Sequence, residues 1–250
     1  MTYRLIIAIY GCVTENFYKQ QIVKINNTWA NQLNDKVKMI YFLGEEKSSD
    51  FTGDTYVYLP NVNNDYLSAS YKQNLGLKYI YENYKTDFVL CCGTDTFLNI
   101  PKLLVFLDQF NPTDNVYIGG HGCNRVIGDK SYHFHSGGPG FILSYNCLER
   151  IYPICGELTE KWIDVCRNNN VETLYSCCDV AISYFLQVYV NATLVKTHGL
   201  SFIHCNYKGH PCHFGQVNMS EIVSCHNMSL QDFDDFYDIL QKNHFFITNS

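Results

Sequence analysis

The chain has 250 residues, of which 46% are hydrophobic and 15% aromatic, so it can bury a large core without covalent cross-links. Its formal net charge of -6 leaves no surplus of lysine and arginine, which argues against nucleic acid as a partner. No apolar run reaches the roughly 18 residues of a membrane-spanning helix, and the N-terminus lacks a signal-peptide cleavage site. The sequence therefore predicts a cytoplasmic protein without a membrane span. In such a reducing compartment its 12 cysteines are expected to be mostly small core residues.

The first hundred residues alternate between apolar runs and segments with helical spacing. A polar stretch up to Trp29 and the segment Asp65–Tyr84 predict helices, with Asn64 or Asp65 as the cap of the second. The predicted buried strands are Leu5–Tyr10, Val37–Leu43, Thr55–Leu59 and Asp87–Cys92. This alternation predicts βαβ units and a mostly parallel sheet, whose ligands lie at the carboxyl ends of the strands. Asp95 follows such an end.

The rest of the chain is richer in glycine and less regular. Six glycines in two segments, Val116–Gly122 and Ser131–Ser144, predict a backbone that turns sharply or approaches another group closely. The loop Ser136–Gly140 lacks the lysine and the spacing of a P-loop. The other predicted elements are helices at Pro101–Phe110, at Asp179–Val190 and around Gln231–Asp238, and a last strand at Gly199–His204.

Three residues are candidates for chemistry, and each also has a structural interpretation. Asp95 can bind a hard cation beside a diphosphate, although aspartate after a strand more often caps a turn or helix. His204 follows the last predicted strand and can join a carboxylate around Mn²⁺, or it can be an ordinary core histidine. Asp179 opens a predicted helix, where it can cap the helix or act as a general base.

A separate cluster of cysteine and histidine raises the alternative of a structural zinc site in an interaction protein. The spacings in this cluster match no standard zinc finger. Its members are His204, Cys205, His210, Cys212 and His213.

Several segments, taken in chain order, resemble one family. Asn27-Thr28-Trp29 resembles an Arg/Asn-x-Thr-Trp helix, and Val37 to Gly44 resembles the strand that follows it. The similar segments further along the chain are Asp65-Tyr66 with Lys72, Asp87 to Asn99, Ser136 to Ser144, Cys178-Asp179-Val180 and Phe202 to His204. This set resembles the Fringe and β1,3-galactosyl- or N-acetylglucosaminyltransferase group, glycosyltransferase family 31.

The resemblance implies a fold and a reaction. The expected fold is α/β of the GT-A type, with a Rossmann-like mixed, mostly parallel sheet flanked by helices. The expected organisation is a single domain over residues 1–250, with a nucleotide-sugar-binding half at 1–110 and an acceptor and catalytic half at 111–250. The implied reaction is inverting transfer of a hexose or N-acetylhexosamine from a UDP-sugar to a glycan or glycoprotein hydroxyl, with β1,3 linkage typical. The particular donor sugar, the acceptor and the oligomeric state are left open.

The resemblance also assigns roles by position. Asp95 and His204 stand where the family binds Mn²⁺, or Mg²⁺ in its place, and Asp179 stands where its base lies. The positions that match its donor-binding segments are Lys72, Gly93, Thr94, Asp95, Gly137 and Gly138.

The sequence departs from the family in three respects. Gly93 and Thr94 replace two acids of an Asp-Asp-Asp run, and Cys178 replaces a glutamate beside the base. These changes motivate a second hypothesis, a degenerate member that binds a sugar nucleotide or glycan without transferring it. The expected lack of a membrane anchor is the third departure, since typical members are anchored in the Golgi. Its Asn-, Lys-, Ile- and Tyr-rich composition is typical of an AT-rich genome, such as that of a large DNA virus or a protist.

Overall fold

The computed structural model describes residues 2–120, 122–197, 202–203, 206–208 and 219–243. The strands in this part are β1 (Thr2–Tyr10), β2 (Val37–Leu43), β3 (Tyr56–Tyr58), β4 (Lys85–Gly93), β5 (Phe97–Leu98), β6 (Val116–Gly119), β7 (Gly122–Ile127), β8 (Lys130–His135), β9 (Phe141–Ser144), β10 (Thr193–Lys196), β11 (Phe202–Ile203) and β12 (Ser224–Cys225). The helices are α1 (Asn16–Asn27), α2 (Ser68–Asn83), α3 (Ile100–Leu107), α4 (Tyr145–Cys155), α5 (Leu158–Asn168), α6 (Cys178–Phe185) and α7 (Leu230–Lys242).

A seven-stranded sheet forms the centre of the molecule, in the order β10-β6-β9-β4-β1-β2-β3. Strand β9 runs antiparallel to both of its neighbours, β4 and β6. The other strand pairs of this sheet are parallel. The predicted α/β class with a mixed, mostly parallel sheet is therefore confirmed. A three-stranded sheet, β11-β12-β5, and the β7–β8 hairpin lie outside it.

Strand β1 is buried on both faces, as its continuous apolar sequence predicts. Leu5, Ile7 and Ile9 belong to one hydrophobic core, and the alternate residues Ile6 and Ala8 belong to a second core. Because side chains alternate along a strand, these two cores lie on opposite faces of the sheet. Helices α1, α3 and α7 contribute to the first core, and α2, α4, α5 and α6 to the second.

Several elements differ from the sequence prediction. Helix α2 begins at Ser68 rather than Asp65, because Asp65 Oδ1 accepts hydrogen bonds of 2.8 Å from both the backbone nitrogen and the hydroxyl of Ser68. The predicted helix Asp179–Val190 is α6 followed by a π-helical turn at Leu186–Val190. Helices α4 and α5 were not predicted. Of the predicted last strand, only Phe202–Ile203 falls among the described residues.

Most of the described cysteines are buried in the core, as predicted. None of them forms a disulfide, and the buried ones are Cys12, Cys91, Cys92, Cys147, Cys155, Cys166 and Cys225. No helix within the described ranges is long and apolar enough to cross a membrane.

Candidate active site

Two neighbouring cavities open at the carboxyl edge of the central sheet. Strands β1 and β4 end side by side there, with Tyr10 opposite Gly93. The first cavity, of about 480 Å³, extends to Lys72 and Thr94. The second, of about 390 Å³, extends to Asp179 and His226. The residues that line both cavities are Tyr10, Tyr66, Ala69, Gly93 and Asp95. Ligands of parallel sheets bind at the carboxyl ends of the strands, and both cavities lie at these ends.

Asp95 lies where the two cavities meet, just beyond the end of β4. Its Oδ2 is 3.1 Å from Nε2 of His226, and the two side chains are 35% and 21% exposed. The backbone fixes this pair, because Met228 N donates to Asp95 O over 3.0 Å and His226 N donates to Ile203 O over 3.0 Å. A carboxylate oxygen and an imidazole nitrogen thus face the cavity from two different segments of the chain.

His226 is a site residue that the sequence analysis missed. It follows β12, a strand of two residues, and a two-residue apolar segment gives no periodic signal that would mark a strand end. The predicted ligand His204 lies outside the described residues, directly after β11 in the sequence. Its assignment stays a prediction.

The glycine loop Ser136–Gly140 packs against the His226 ring of the Asp95–His226 pair. A Cβ at Gly138 would lie 2.5 Å from Nδ1 and Cε1 of His226, so this position accepts only glycine while the ring keeps its place. Thr96 Oγ1 donates a 2.8 Å hydrogen bond to Gly138 O, and Ser224 Oγ donates to Pro139 O. Side chains on both sides of the site therefore hold the loop.

Asp179 lies in the first turn of α6 and faces the second cavity. Its Oδ2 accepts a 3.0 Å hydrogen bond from Gly137 N, and its Oδ1 accepts a 2.9 Å bond from Val180 N. The helix begins one residue earlier, at Cys178, so Asp179 is a first-turn residue and not the N-cap. Two backbone donors therefore orient the carboxylate.

Lys72 and Thr94 lie in the wall of the first cavity. Lys72 is buried, and its Nζ donates 2.8 Å hydrogen bonds to Gly11 O and to Asn64 Oδ1. Burial lowers the pKa of Lys72 from its usual value. Thr94 is also buried and donates a 2.6 Å hydrogen bond to Gln21 Oε1. These two side chains line the cavity, and hydrogen bonds to other residues of the protein hold them in place.

Cys178 precedes Asp179 and lines the second cavity. Burial raises the pKa of the Cys178 thiol well above its usual value, and the nearby Asp179 carboxylate raises it further. The thiol is therefore neutral at physiological pH.

The sequence matches the Fringe-like family over residues 3–242. The chain belongs to the Fringe-like family.

Two relatives are similar to part of this Fringe-like sequence. Chondroitin sulfate synthase 3 of Mus musculus is 25% identical over 156 residues, which are 57% of this chain and 17% of that protein. The Homo sapiens protein of the same name is 28% identical over 109 residues, 40% of this chain and 12% of that protein. The chain thus spans less than a fifth of the length of these curated relatives.

One solved glycosyltransferase shares the fold of this Fringe-like chain, and a second aligns with it less closely. The glycosyltransferase GlyE of Streptococcus pneumoniae TIGR4 aligns with a TM-score of 0.54 and 9% identity, over 100% of this chain and 66% of that one. A glycosyltransferase involved in the glycosylation of the major capsid of PBCV-1 aligns with a TM-score of 0.47 and 14% identity, over 93% and 98% of the two chains. At such low identity the likeness to GlyE supports the architecture and not a particular substrate.

The structure of this Fringe-like protein brings most of the sequence candidates to one edge of the sheet. Gly93 and Asp95 lie where the two cavities meet, while Gly137, Gly138 and Asp179 lie around the second cavity. The alternative zinc cluster, from His204 to His213, lies outside the described residues. Within the described ranges, no group of three or more His, Cys, Asp or Glu residues is arranged to hold a metal ion.

Proposed function

We propose that this chain is an inverting, metal-dependent glycosyltransferase that moves a hexose or N-acetylhexosamine from a UDP-sugar to a hydroxyl of a glycan or glycoprotein. The observation that carries the proposal is the position of Asp95, which lies in both cavities, with the Asp179 carboxylate in the wall of the second. A donor diphosphate in the first cavity and an acceptor in the second would meet at this point. Membership of the Fringe-like family supports a sugar-nucleotide donor.

The side chains at the junction suit a divalent cation such as Mn²⁺ or Mg²⁺. Asp95 Oδ2 and His226 Nε2 are 3.1 Å apart, a separation at which one cation can contact both. With two protein ligands, the remaining positions are available to diphosphate oxygens and water. A cation at this place would neutralise the negative charge that develops on the departing UDP. In this assignment His226 is a metal ligand that the sequence analysis did not name, and His204 stays a predicted ligand.

Asp179 is the proposed general base. Gly137 N and Val180 N hold its carboxylate at the wall of the second cavity, so that it faces an incoming hydroxyl without rotating freely. In the proposed step the acceptor oxygen bonds to the anomeric carbon as the bond from that carbon to the diphosphate oxygen breaks. The hydroxyl proton passes to Asp179, and UDP leaves with the electron pair of the broken bond.

A panel of UDP-sugars, scored for UDP release with and without Mn²⁺, tests this function. The expected result is Mn²⁺-dependent release from at least one UDP-sugar by the wild-type protein, and none by Asp95→Ala. Metal-independent release by Asp95→Ala would overturn the role of Asp95. Lys130→Gln, an exposed change on the β7–β8 hairpin, is the matched control and is expected to keep the wild-type rate.

The second hypothesis, binding without transfer, draws on Gly93. This residue lies beside Asp95 in both cavities, at a position where the family pattern has an acid. Calorimetry distinguishes the two functions. Tight UDP binding together with no release or transfer across the donor panel would favour a binding protein over an enzyme.

A further inference from the structure

Two exposed side chains on opposite elements line the second cavity and have no part in the mechanism above. Tyr66 lies in the loop before α2 and is 78% exposed. Arg125 lies on β7, the first strand of the hairpin, and is also exposed. Both line the cavity that contains Asp179. An acceptor whose hydroxyl reaches Asp179 would occupy the cavity that both residues line.

Arg125 is notable for its electrostatic setting. Its guanidinium lies 5.2 Å from the centre of the Phe134 ring, and its Nη1 donates to Cys123 Sγ and Asn124 O. Within the described part of the chain it forms no ion pair with a carboxylate, in contrast to Arg4 and Arg167. It is also the only lysine or arginine among the described residues that line the second cavity.

The surroundings of Arg125 favour an anionic partner. The protein carries a formal net charge of -6, and Asp95 and Asp179 line the same cavity. A guanidinium that is not paired with a carboxylate of the protein can use two of its N–H groups to bind a carboxylate or sulfate through two parallel hydrogen bonds. Its stacking against Phe134 restricts its motion and lowers the entropy cost of such binding.

Tyr66 contributes a different kind of contact. It belongs to the walls of both cavities, so it lies where the proposed donor and acceptor spaces adjoin. Aromatic rings provide apolar faces in ligand sites, and the C–H face of a pyranose ring is a suitable partner. An exposed tyrosine at this place offers such a face without a role in the core.

We propose that Tyr66 and Arg125 form an acceptor subsite that selects a saccharide bearing an anionic substituent, either a uronate carboxylate or a sulfate ester. Tyr66 packs against the sugar ring and Arg125 pairs with the acid. The inference rests on the proposed function, because it takes the second cavity as the acceptor site.

The experiment compares three acceptors with the same saccharide skeleton: neutral, uronate-bearing and sulfated. The wild-type protein is expected to use at least one acidic acceptor with a kcat/KM about tenfold or more above that for the neutral one. Arg125→Gln should remove this preference by raising the KM for the acidic acceptor. Tyr66→Ala should raise the KM for all three, while Tyr66→Phe, which keeps the ring face, should stay close to the wild type. Lys130→Gln, on the same hairpin but outside the cavity, serves as the charge control.

Two readouts separate failure of this subsite from failure of the proposed function. UDP release from the donor alone, with water taking the sugar in place of the acceptor, tests donor cleavage independently of the acceptor. Calorimetry measures the direct binding of the three saccharides to the wild type and to Arg125→Gln. This tests the subsite even when turnover is absent. Equal use or equal binding of neutral and acidic saccharides by the wild type would overturn the inference, as would an equal loss for both in Arg125→Gln. A larger effect with the uronate or with the sulfated acceptor identifies the source of the charge.

Discussion

Nε2 of His226 lies 3.1 Å from Oδ2 of Asp95, although the two residues come from distant segments of the sequence. Replacing His226 with alanine removes one of the two proposed protein ligands. We expect Mn²⁺ affinity to fall by at least about tenfold, measured by calorimetry or by Mn²⁺ electron paramagnetic resonance. Asp179→Asn is the matched comparison, because it changes the same cavity without touching Asp95, and it should keep the wild-type Mn²⁺ affinity. Unchanged Mn²⁺ binding in His226→Ala would remove this residue from the proposed site.

Gly138→Ala tests the same site without removing a ligand. The added Cβ would lie 2.5 Å from the His226 ring, so the imidazole must move away from Asp95. We expect weaker Mn²⁺ binding and a loss of about 1–3 kcal/mol in the free energy of unfolding. At Gly156, by contrast, an added Cβ would meet Lys78 no closer than 3.8 Å, so Gly156→Ala is the control and should change neither quantity much. Wild-type Mn²⁺ affinity in Gly138→Ala would contradict the proposed coupling.

Asp179→Asn tests the general base. The amide keeps the size of the side chain and one oxygen that can accept from Gly137 N, but it cannot take up the hydroxyl proton. We expect kcat to fall by about 10²- to 10⁴-fold with UDP affinity retained, measured by UDP release and by calorimetry. Asp164→Asn, an exposed change on α5, should have no effect on kcat. A kcat within about twofold of the wild type in Asp179→Asn would assign the proton transfer to another group.

The stability of the fold should depend on pH through His135. This residue is fully buried, and within the described part of the chain neither ring nitrogen meets hydrogen-bond geometry with a partner. Burial is the larger cause and the nearby His133 the smaller one, and together they lower the pKa of His135 to about 4. Between that value and the unfolded pKa of about 6.5, the unfolded chain binds a proton that the folded chain does not, so stability falls as the pH falls.

We expect His135 to account for a loss of about 2 kcal/mol in the free energy of unfolding between pH 7 and pH 5. Urea unfolding at the two pH values measures it. In His135→Gln, whose side chain does not titrate, the difference between pH 7 and pH 5 should shrink by that amount. An identical pH dependence in the wild type and in His135→Gln would show that this histidine does not titrate differently in the two states.

The sequence alone was sufficient to predict the central strands and the position of Asp95. Strands β1, β2 and β4 are continuous apolar runs because both faces of the sheet are covered, and such runs are visible without any structure. Asp95 was visible because it directly follows one of them. Helices α4 and α5 were not predicted, although their apolar residues, such as Leu148, Ile151 and Trp162, are buried in the second core.

His226 could not be predicted for a different reason. Its place depends on β12, which pairs with β11 in parallel and with β5 in antiparallel orientation. Each of these strands has only two described residues, so their pairing is a consequence of tertiary packing and not of a local pattern. The assignment of Arg125 to the cavity wall depends in the same way on where the β7–β8 hairpin lies.

The central claim is that Asp95 binds a cation that transfer from a UDP-sugar requires. The measurement that tests it most directly is the rate of UDP release from the preferred UDP-sugar, as a function of Mn²⁺ concentration, in the wild type and in Asp95→Asn. The account predicts saturable Mn²⁺ activation in the wild type and none in Asp95→Asn at the same concentrations. Equal, Mn²⁺-independent release by the two proteins would contradict it.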